Sequence, residues 1–413
     1  MPESTNPPAS LSSTEPQGNP GQLTLATVAF TVCFFAWSML GPLGPDLQTH
    51  LKLSNVQLAV VIAVPVLMGS LMRIPLGVLT DRFGGRPVFS ALMLFTVVPT
   101  TLLALFHDSL TTVIVLGLFL GVAGASFAVG VPMVSRWHPR AKQGTVLGIY
   151  GMGMGGTVIA GLTASRIAKH WGLAAPFWVA TVAVGLAALV FAILARDAPG
   201  ERSVPAGMLA PLRVLWERPR VWAPTLYYFV VFGGFVAMFA YLPTLLHNVN
   251  HVSKTDAGAR AAGFALLAVL ARPVGGWLAD RISPQWVLRI SFGAVIVLAA
   301  TLSQTYKSIV PLTICCLTMA AAFGLGMGAV FKLVAHDFPD CIGAVTGVVG
   351  AAGGLGGFFP PLVMAVVKTQ TGSYALGFVF LSITAVLTFV VLEAMHRRGQ
   401  TPRPRPAATV GVW

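Results

Sequence analysis

Two arginines lie inside apolar stretches of this chain, and each is followed by the same residue types at the same spacing. Gly follows at the fourth position, Asp at the eighth and Arg at the ninth, in Arg73-Ile-Pro-Leu-Gly77-Val-Leu-Thr-Asp81-Arg82 and in Arg272-Pro-Val-Gly-Gly276-Trp-Leu-Ala-Asp280-Arg281. A guanidinium is planar, permanently charged and fork-shaped, so it suits small planar oxyanions or carboxylates. We therefore predict that Arg73 and Arg272 bind an anion.

The composition indicates the environment in which this chemistry takes place. Of the 413 residues 55% are hydrophobic and only 9% are charged, whereas soluble domains carry about a quarter charged residues. The chain is therefore predicted to be an integral membrane protein in contact with the lipid bilayer. A net charge of +13 could suggest nucleic acid, but the basic residues lie in short loops between apolar segments. We therefore expect no nucleic-acid partner. We also expect no metal, since the four cysteines lack metal-ligand spacing, and no cofactor.

Twelve apolar segments are each near the length of about 20 residues that a helical span needs. They are predicted at residues 22–45, 56–79, 87–106, 111–134, 143–165, 174–195, 221–246, 257–279, 286–304, 309–333, 342–366 and 373–394. The longest polar stretch between spans follows the sixth. The predicted organisation is a disordered tail at 1–21, a six-helix bundle at 22–195, a cytoplasmic linker at 196–220, a second six-helix bundle at 221–395 and a C-terminal tail at 396–413.

The loop charges predict the orientation. If the N-terminus is cytoplasmic, seven basic residues face outward and more than twice as many face the cytoplasm, which is the bias that orients membrane proteins. The seven are Lys52, Arg166, Lys169, Lys254, Arg260, Lys307 and Lys368. We therefore expect a multi-pass protein of the cell membrane with both termini in the cytoplasm.

The predicted depth of Arg73 makes its charge costly. Asp81, eight residues on, lies near the helix end, so Arg73 lies about 12 Å deeper, near the midplane of a core with a half-thickness of about 15 Å. Repeat symmetry gives Arg272 the same depth. Each such charge costs about 2.5–3.5 kcal/mol to insert. Because none of the 13 acids lies at the centre of a span, the missing negative charge is predicted to be the substrate. The alternative is that both arginines bond only backbone carbonyls and water.

A second pair of motifs has the same 199-residue offset. Glycines recur at +4, +3 and +4 in two apolar segments, as Gly144, Gly148, Gly151 and Gly155 and again as Gly343, Gly347, Gly350 and Gly354. A duplicated six-helix unit with its substrate site near the midplane is the design of major facilitator transporters. We predict this all-α fold of two pseudo-symmetric halves. The glycines either allow close helix packing or bring backbone to the anion, and the second reading places Gly151, Gly155, Gly350 and Gly354 in the site.

The loop after each arginine-bearing span resembles the cytoplasmic loop motif of the major facilitator superfamily, through Gly77-x-x-x-Asp81-Arg82-x-Gly84-x-Arg86. In that family the motif latches the two halves together. The resemblance implies a gating role rather than ligand binding, and the alternative is that these residues serve only loop solvation and topology. The implied gating residues are Gly77, Asp81, Arg82, Arg86, Gly276, Asp280 and Arg281.

The chain also resembles the nitrate/nitrite porter family, from about residue 25 to 395. The resemblance rests on the arginine pair, on Gly148-Ile-Tyr-Gly-Met-Gly-Met-Gly-Gly-Thr157 and its counterpart at 347–360, and on the aromatic segments around Phe34 and Phe235. Aromatic residues in these segments could sandwich a planar anion or could serve only in packing: Phe34, Trp37, Phe232, Phe235 and Tyr241. Of these, Phe34 and Phe235 are predicted to lie in the site. Members of that family usually carry Asn where this chain has Met154 and Met327, and a thioether is a much weaker hydrogen-bonding group than an amide.

The resulting prediction is a transporter, not an enzyme, that moves nitrate and/or nitrite by alternating access, in uptake or in nitrate/nitrite exchange. Exchange is favoured because no His or carboxylate lies mid-membrane to carry a proton. Two alternatives remain: the same fold carrying another small anion, such as cyanate or a small carboxylate, and an anion sensor that does not transport. A monomer is expected, and Lys332 is expected to extend toward the cytoplasmic face.

Overall fold

Twelve long helices dominate the structure, a computed structural model that describes residues 18–199, 216–371 and 373–400. Each contains a segment long and apolar enough to cross a bilayer, and no strand occurs in the described residues. In chain order the helices are α1 Pro20–Trp37, α2 Asn55–Phe83, α3 Gly85–Leu105, α4 Leu110–Trp137, α5 Arg140–Trp171, α6 Ala175–Leu194, α7 Trp222–Asn250, α8 Lys254–Arg281, α9 Pro284–Thr305, α10 Ile309–Asp337, α11 Ile342–Thr371 and α12 Ala375–Gln400. The predicted tails and linker lie largely outside the described residues.

The first helix is shorter than the predicted span at 22–45. It ends at Trp37, and after a turn a separate short helix covers Gly44–Leu51. Pro42 has no amide hydrogen to continue the helix, whereas Pro45 occupies the first turn of the short helix, where no such hydrogen is needed. The boundary prediction was therefore wrong at this point, because the apolar composition continues through a proline-rich turn.

The two sets of six helices meet through crossed pairs. We call α1–α6 the N-half and α7–α12 the C-half. Helix α2 packs on α11, and α5 packs on α8. The sequence repeat relates α2 to α8 and α5 to α11. The α2–α11 contact and the α5–α8 contact are therefore equivalent in the two halves. Each pair joins an arginine-bearing helix to a glycine-rich helix of the other half.

Glycine allows these pairs to approach closely. A methyl group at Gly276 of α8 would collide with the carbonyl of Gly144 in α5, and one at Gly77 of α2 would collide with the carbonyl of Gly343 in α11. Backbone packs directly on backbone at both places, as is typical of small residues between membrane helices. This contact lies at the end of the bundle that holds Asp81 and Asp280, which we call the motif end. The first and last described residues, Gly18 and Gln400, lie at this end, because an even number of long helices returns the chain to the side where it began.

The N-half differs from the C-half in two helices. Helix α4 changes to 3-10 geometry at Val122–Ala125, and α5 does so at Met152–Gly155. Their repeat counterparts α10 and α11 are continuous α-helices. A 3-10 stretch within a helix reorients carbonyl groups and often marks a functional region. Both breaks border the arginine site described below.

Candidate functional site

Arg73 is held on α2 by backbone groups from both halves. Its side chain is buried, with only 2% of the residue exposed. Nε donates a hydrogen bond to the carbonyl of Gly124, 3.2 Å away in the 3-10 break of α4. Nη1 donates to the carbonyl of Gly350 in α11. The guanidinium carbon lies 5.3 Å from the centre of the Phe232 ring, at a distance where cation–π attraction contributes.

Arg272 occupies the equivalent place on α8 but has fewer partners. It is 1% exposed. Its Nη1 lies 3.4 Å from the carbonyl of Gly151 and 3.1 Å from the sulfur of Met154, and its guanidinium carbon lies 4.7 Å from the centre of the Phe127 ring. Nε and Nη2 have no hydrogen-bond partner among the described residues. Leaving a buried donor unpaired costs about 1–3 kcal/mol, and more when the group is charged.

The two unpaired donors of Arg272 form one chemical unit. The N–H groups of Nε and Nη2 point the same way along one edge of the guanidinium, the edge that binds two oxygens of a carboxylate-like anion at once. Arg73 differs, because its Nε is already bonded to Gly124. No described carboxylate forms an ion pair with either arginine, as the distribution of acids in the sequence predicted. The pair is thus cationic, buried and asymmetric.

Both guanidiniums border one group of aromatic rings, which we call the central aromatic cluster: Phe127, Tyr228, Phe232 and Phe331. The rings of Tyr228 and Phe232 stack with centres 5.0 Å apart, and those of Phe127 and Phe331 meet edge-on at 4.7 Å. All four residues are buried. Four buried aromatic rings exclude water from this region. The attraction between a guanidinium and an anion is stronger where water is excluded.

The aromatic residues predicted from the resemblance lie beside this cluster. The ring of Phe34 packs edge-on against Phe30 at 4.5 Å, and that of Phe235 stacks on Phe264 at 5.7 Å. Phe235 also lies 6.3 Å from Phe232. The rings over the arginines are Phe127 and Phe232. Phe235 packs beside Phe232, whereas Phe34 reaches Phe127 through Phe30, whose ring centre lies 5.5 Å from that of Phe127. Their predicted contact with the anion stays a prediction.

Three of the four predicted site glycines border the arginines. A methyl group at Gly151 would collide with the guanidinium of Arg272, and one at Gly350 would press on Cδ of Arg73. At Gly354 a methyl group would collide with Ser70 Oγ and come within 3.4 Å of Arg73 Nη1. At Gly155 it would meet only Val269, at an ordinary 3.6 Å. The packing reading therefore applies, and the same faces also make room for the arginines. Contact of these glycines with the anion stays a prediction.

Asp81 joins the two halves at the motif end. This fully buried carboxylate accepts hydrogen bonds from the backbone amides of Gly343, at 3.2 Å, and Ala344, at 2.9 Å, at the start of α11. Arg136 at the end of α4 donates to it as well, at 2.9 Å. A carboxylate at a helix N-terminus is stabilised by unpaired amides and by the helix dipole.

Asp280 makes the equivalent contact between the halves. It accepts hydrogen bonds from the backbone amides of Gly144, at 2.9 Å, and Thr145, at 2.6 Å, and from the Thr145 hydroxyl, at 2.8 Å. Lys332 of α10 lies 2.8 Å from it and also donates to the carbonyl of Arg140. Lys332 therefore extends toward the motif end and is paired there. Each aspartate binds the other half, so the two halves are held together at the motif end in this structure.

The remaining predicted gating residues act locally. The guanidiniums of Arg82 and Arg281 are exposed and lie over the rings of Phe83, at 5.2 Å, and Trp277, at 4.5 Å. The backbone amide of Arg86 donates to Asp197, and its side chain donates to the carbonyl of Ala192. Arg86 thus ties α3 to the end of α6 within the N-half. None of these contacts crosses between the halves.

Sequence reasoning missed Phe127, Arg136 and the carbonyl of Gly124. Arg136 had a usable signal, since both it and Lys332 are basic residues near the ends of corresponding helices. Phe127 and Gly124 had none, because their roles depend on the 3-10 break in α4.

The helices and this site define a membrane transporter: a buried cationic site lies between two repeated halves, and hydrogen bonds join the halves at one end. The sequence profile described as the Major Facilitator Superfamily matches residues 26–361. The chain is 40% identical over 386 residues to the probable nitrate/nitrite transporter NarK2 of Mycobacterium tuberculosis, covering 92% of this chain and 98% of that protein. It is 38% identical to the nitrite extrusion protein of Bacillus subtilis, covering 91% and 94%. The chain therefore belongs to the major facilitator superfamily and, within it, to the nitrate/nitrite porter family.

Solved structures agree on the fold. The human organic anion transporter MFSD10 superposes with a TM-score of 0.75 at 18% identity, over 90% of this chain and 98% of that one. The proton:xylose symporter XylE superposes with a TM-score of 0.74 at 14% identity, over 90% and 94%. At these identities the likeness supports the twelve-helix architecture alone. The predicted fold class is confirmed.

Proposed function

We propose that this protein carries nitrate and/or nitrite across the cell membrane by alternating access, with the anion bound between Arg73 and Arg272. The observation that carries the proposal is the buried edge of Arg272, whose Nε and Nη2 have no partner in the described residues. A planar oxyanion with two accessible oxygens satisfies both donors at once. Relatives with nitrate and nitrite in their names supply the identity of the anion.

The two arginines have different roles in this proposal. Arg272 binds the anion in bidentate fashion through Nε and Nη2. Arg73, whose Nε and Nη1 bond to Gly124 and Gly350, adds charge from the other half and links the anion to α11. The positive charges repel each other in the empty site, and the anion removes that repulsion. Binding of the anion therefore draws the halves together. A carrier that changes conformation only when it is loaded requires this coupling.

Nitrate/nitrite exchange is the favoured mode. Among the described residues the spanning helices hold no carboxylate or histidine beside the arginines, and the buried aspartates Asp81 and Asp280 are committed to the latch. Without a protonatable group at the site, a second anion is the simplest species to return the empty carrier. The protein acts without catalysis in this scheme. We propose a monomer, oriented with both termini in the cytoplasm.

The latch supplies the conformational half of the cycle. Asp81 and Asp280 hold α11 and α5 at the motif end, so this structure corresponds to a carrier closed on that side. In the proposed orientation that side is the cytoplasm. When this side opens, Asp81 and Asp280 must break their hydrogen bonds to the N-termini of α11 and α5. Those N-termini then become exposed to water. Four residues, Gly77, Gly276, Gly144 and Gly343, let the helices separate and rejoin because no side chain interlocks there.

Flux into proteoliposomes tests the function. Purified protein is reconstituted with internal nitrite, and uptake of nitrate labelled with nitrogen-15 is followed with and without the internal anion and with and without a pH gradient. We expect uptake that depends on internal nitrite and is insensitive to the pH gradient. Competition by cyanate, formate or acetate stronger than that by nitrite would assign the carrier to another anion. Anion binding in detergent without flux would identify a sensor instead.

A further inference from the structure

Two histidines and an aspartate meet at the end of the bundle opposite the motif end. His50 lies in the last turn of the short helix Gly44–Leu51, and His107 and Asp108 lie in the loop between α3 and α4. One ligand-type atom from each residue lies within 4.8 Å of the other two. Nε2 of His50 is 2.7 Å from Oδ1 of Asp108. The anion site makes no use of this cluster, which we call the His50 cluster.

The ring of His107 is oriented by a backbone group. Its Nδ1 lies 3.1 Å from the carbonyl of Leu103, so Nδ1 carries the proton and donates it to that oxygen. Nε2 is then left with a lone pair. A histidine whose other ring nitrogen donates to a carbonyl is the usual form of a metal-bound histidine, because the bond selects the tautomer and holds the ring.

Asp108 supplies the negative charge that such a site needs. Its Oδ1 lies 2.7 Å from Nε2 of His50, and an aspartate carboxyl is ordinarily ionised at neutral pH. The rings of His50 and His107 have their centres 5.7 Å apart. Bonds of about 2.0–2.2 Å to two imidazoles and one carboxylate are those of zinc sites, and the three ligand atoms already lie within 4.8 Å of one another.

We propose that the His50 cluster binds one divalent transition-metal ion, with zinc as the best-fitting ion, through His50, His107 and Asp108. Imidazole with carboxylate is a ligand set that zinc, copper and nickel accept, and the exposure of Asp108 leaves a fourth position for water. The ion ties the α1–α2 connection to the α3–α4 loop. Because both segments belong to the N-half, it stabilises that half without joining the two halves.

Thermal unfolding of the full-length protein in detergent, without a polyhistidine tag, tests the proposal with Zn²⁺ as the probe. We expect a saturable rise in melting temperature with one ion per chain, reversed by EDTA. The rise disappears in His107→Ala and in Asp108→Asn. It persists in His170→Ala, which removes an exposed histidine at the same end of the bundle. A rise of equal size in all four proteins, or no rise in the wild type, would overturn the proposal.

Cobalt provides a readout that does not depend on the stability of the variants. Co²⁺ bound by two imidazoles and a carboxylate in four-coordinate geometry absorbs visible light strongly, whereas hexahydrated Co²⁺ does so weakly. We expect this absorption in the wild type and in His170→Ala, and its loss in His50→Ala. If His50→Ala keeps the full absorption, the ion binds elsewhere and the site is refuted.

Discussion

The sulfur of Met154 lies 3.1 Å from Nη1 of Arg272. It is the one described side-chain group within hydrogen-bonding distance of that guanidinium, and it comes from the other half of the protein. A thioether accepts a hydrogen bond weakly, so Arg272 keeps nearly all of its capacity for the anion. Met154, at the position where the family resemblance implies Asn, contributes a weakly polar side chain beside Arg272.

Met154→Asn is expected to tighten nitrate binding. The amide oxygen replaces sulfur as an acceptor for Arg272, and the amide hydrogens become donors to the anion. One added hydrogen bond contributes about 0.5–1.5 kcal/mol, which is at most about a tenfold change in Kd. Nitrate titration by calorimetry in detergent measures it. Met154→Leu keeps the volume without the polar group and serves as the control, and equal affinities for the two variants would show that Met154 is not beside the anion.

Arg272→Lys is expected to weaken anion binding more than Arg73→Lys. Lysine cannot offer two parallel donors, and losing one charged hydrogen bond of about 1.5–3 kcal/mol lowers the affinity by about 10- to 100-fold. In Arg73 one donor of that edge already belongs to Gly124, so the loss is smaller, under about tenfold. Arg289→Lys, at a surface ion pair with Glu393, is the control. Equal losses at positions 73 and 272 would contradict the asymmetry of the site while leaving the proposed transport intact.

Asp81→Asn is expected to open the motif end. The neutral amide loses the charge that Arg136 and the amides of α11 stabilise. Cys341, at the start of α11, is partly exposed, whereas Cys33, Cys315 and Cys316 are buried. Its labelling by a water-soluble maleimide should therefore become faster in Asp81→Asn.

Two further proteins check that labelling result. Asp256→Asn removes a carboxylate that pairs with Arg260 on the surface of α8, and it should leave the labelling rate unchanged. Cys341→Ala should abolish the increase. An unchanged rate in Asp81→Asn, with nitrate transport also unchanged, would rule out a gating role for Asp81.

Asp280→Asn is expected to destabilise the protein through Lys332. That ammonium lies 2.8 Å from Asp280, and the two side chains are only 11% and 8% exposed. Removing one partner of a buried pair costs about 3–5 kcal/mol, because the other charge stays buried. The double variant Asp280→Asn/Lys332→Met should recover much of the loss in melting temperature. A double variant as unstable as the single one would show that the amide contacts at α5, not the ion pair, set the stability.

Gly276→Ala is expected to force α8 away from α5. The added methyl group meets the carbonyl of Gly144, and a backbone atom cannot rotate aside. Overpacking of this kind costs about 1–3 kcal/mol, and it should also slow transport, since the latch at Asp280 lies one turn away. Gly161→Ala is the matched control, because nothing lies within 4 Å of the added atom. The measurements are melting temperature and nitrate flux, and a normal result for Gly276→Ala would refute the close contact.

The sequence alone determined the architecture and predicted the charged residues of the candidate site. In a bilayer every backbone group must be satisfied within its own helix, so apolar length is enough to locate most spans. The constant offset between the arginine motifs indicated the duplication, and the distribution of acids predicted that no carboxylate lies at the depth of Arg73 and Arg272. These properties are local or periodic, and they can be read without knowing which helices touch. The exception was the end of α1, where apolar composition continued through a proline turn.

Only the tertiary structure decided how those residues are used. Arg73 bonds Gly350, 277 positions away, and Asp81 bonds Ala344, 263 positions away. No periodicity connects such residues, because their meeting depends on how α2 packs against α11. The asymmetry between the arginines comes from the 3-10 break in α4, which turns the Gly124 carbonyl toward Arg73 and has no counterpart in α10. The repeat therefore predicted two equivalent arginines, and the packing of the helices left the open edge on Arg272.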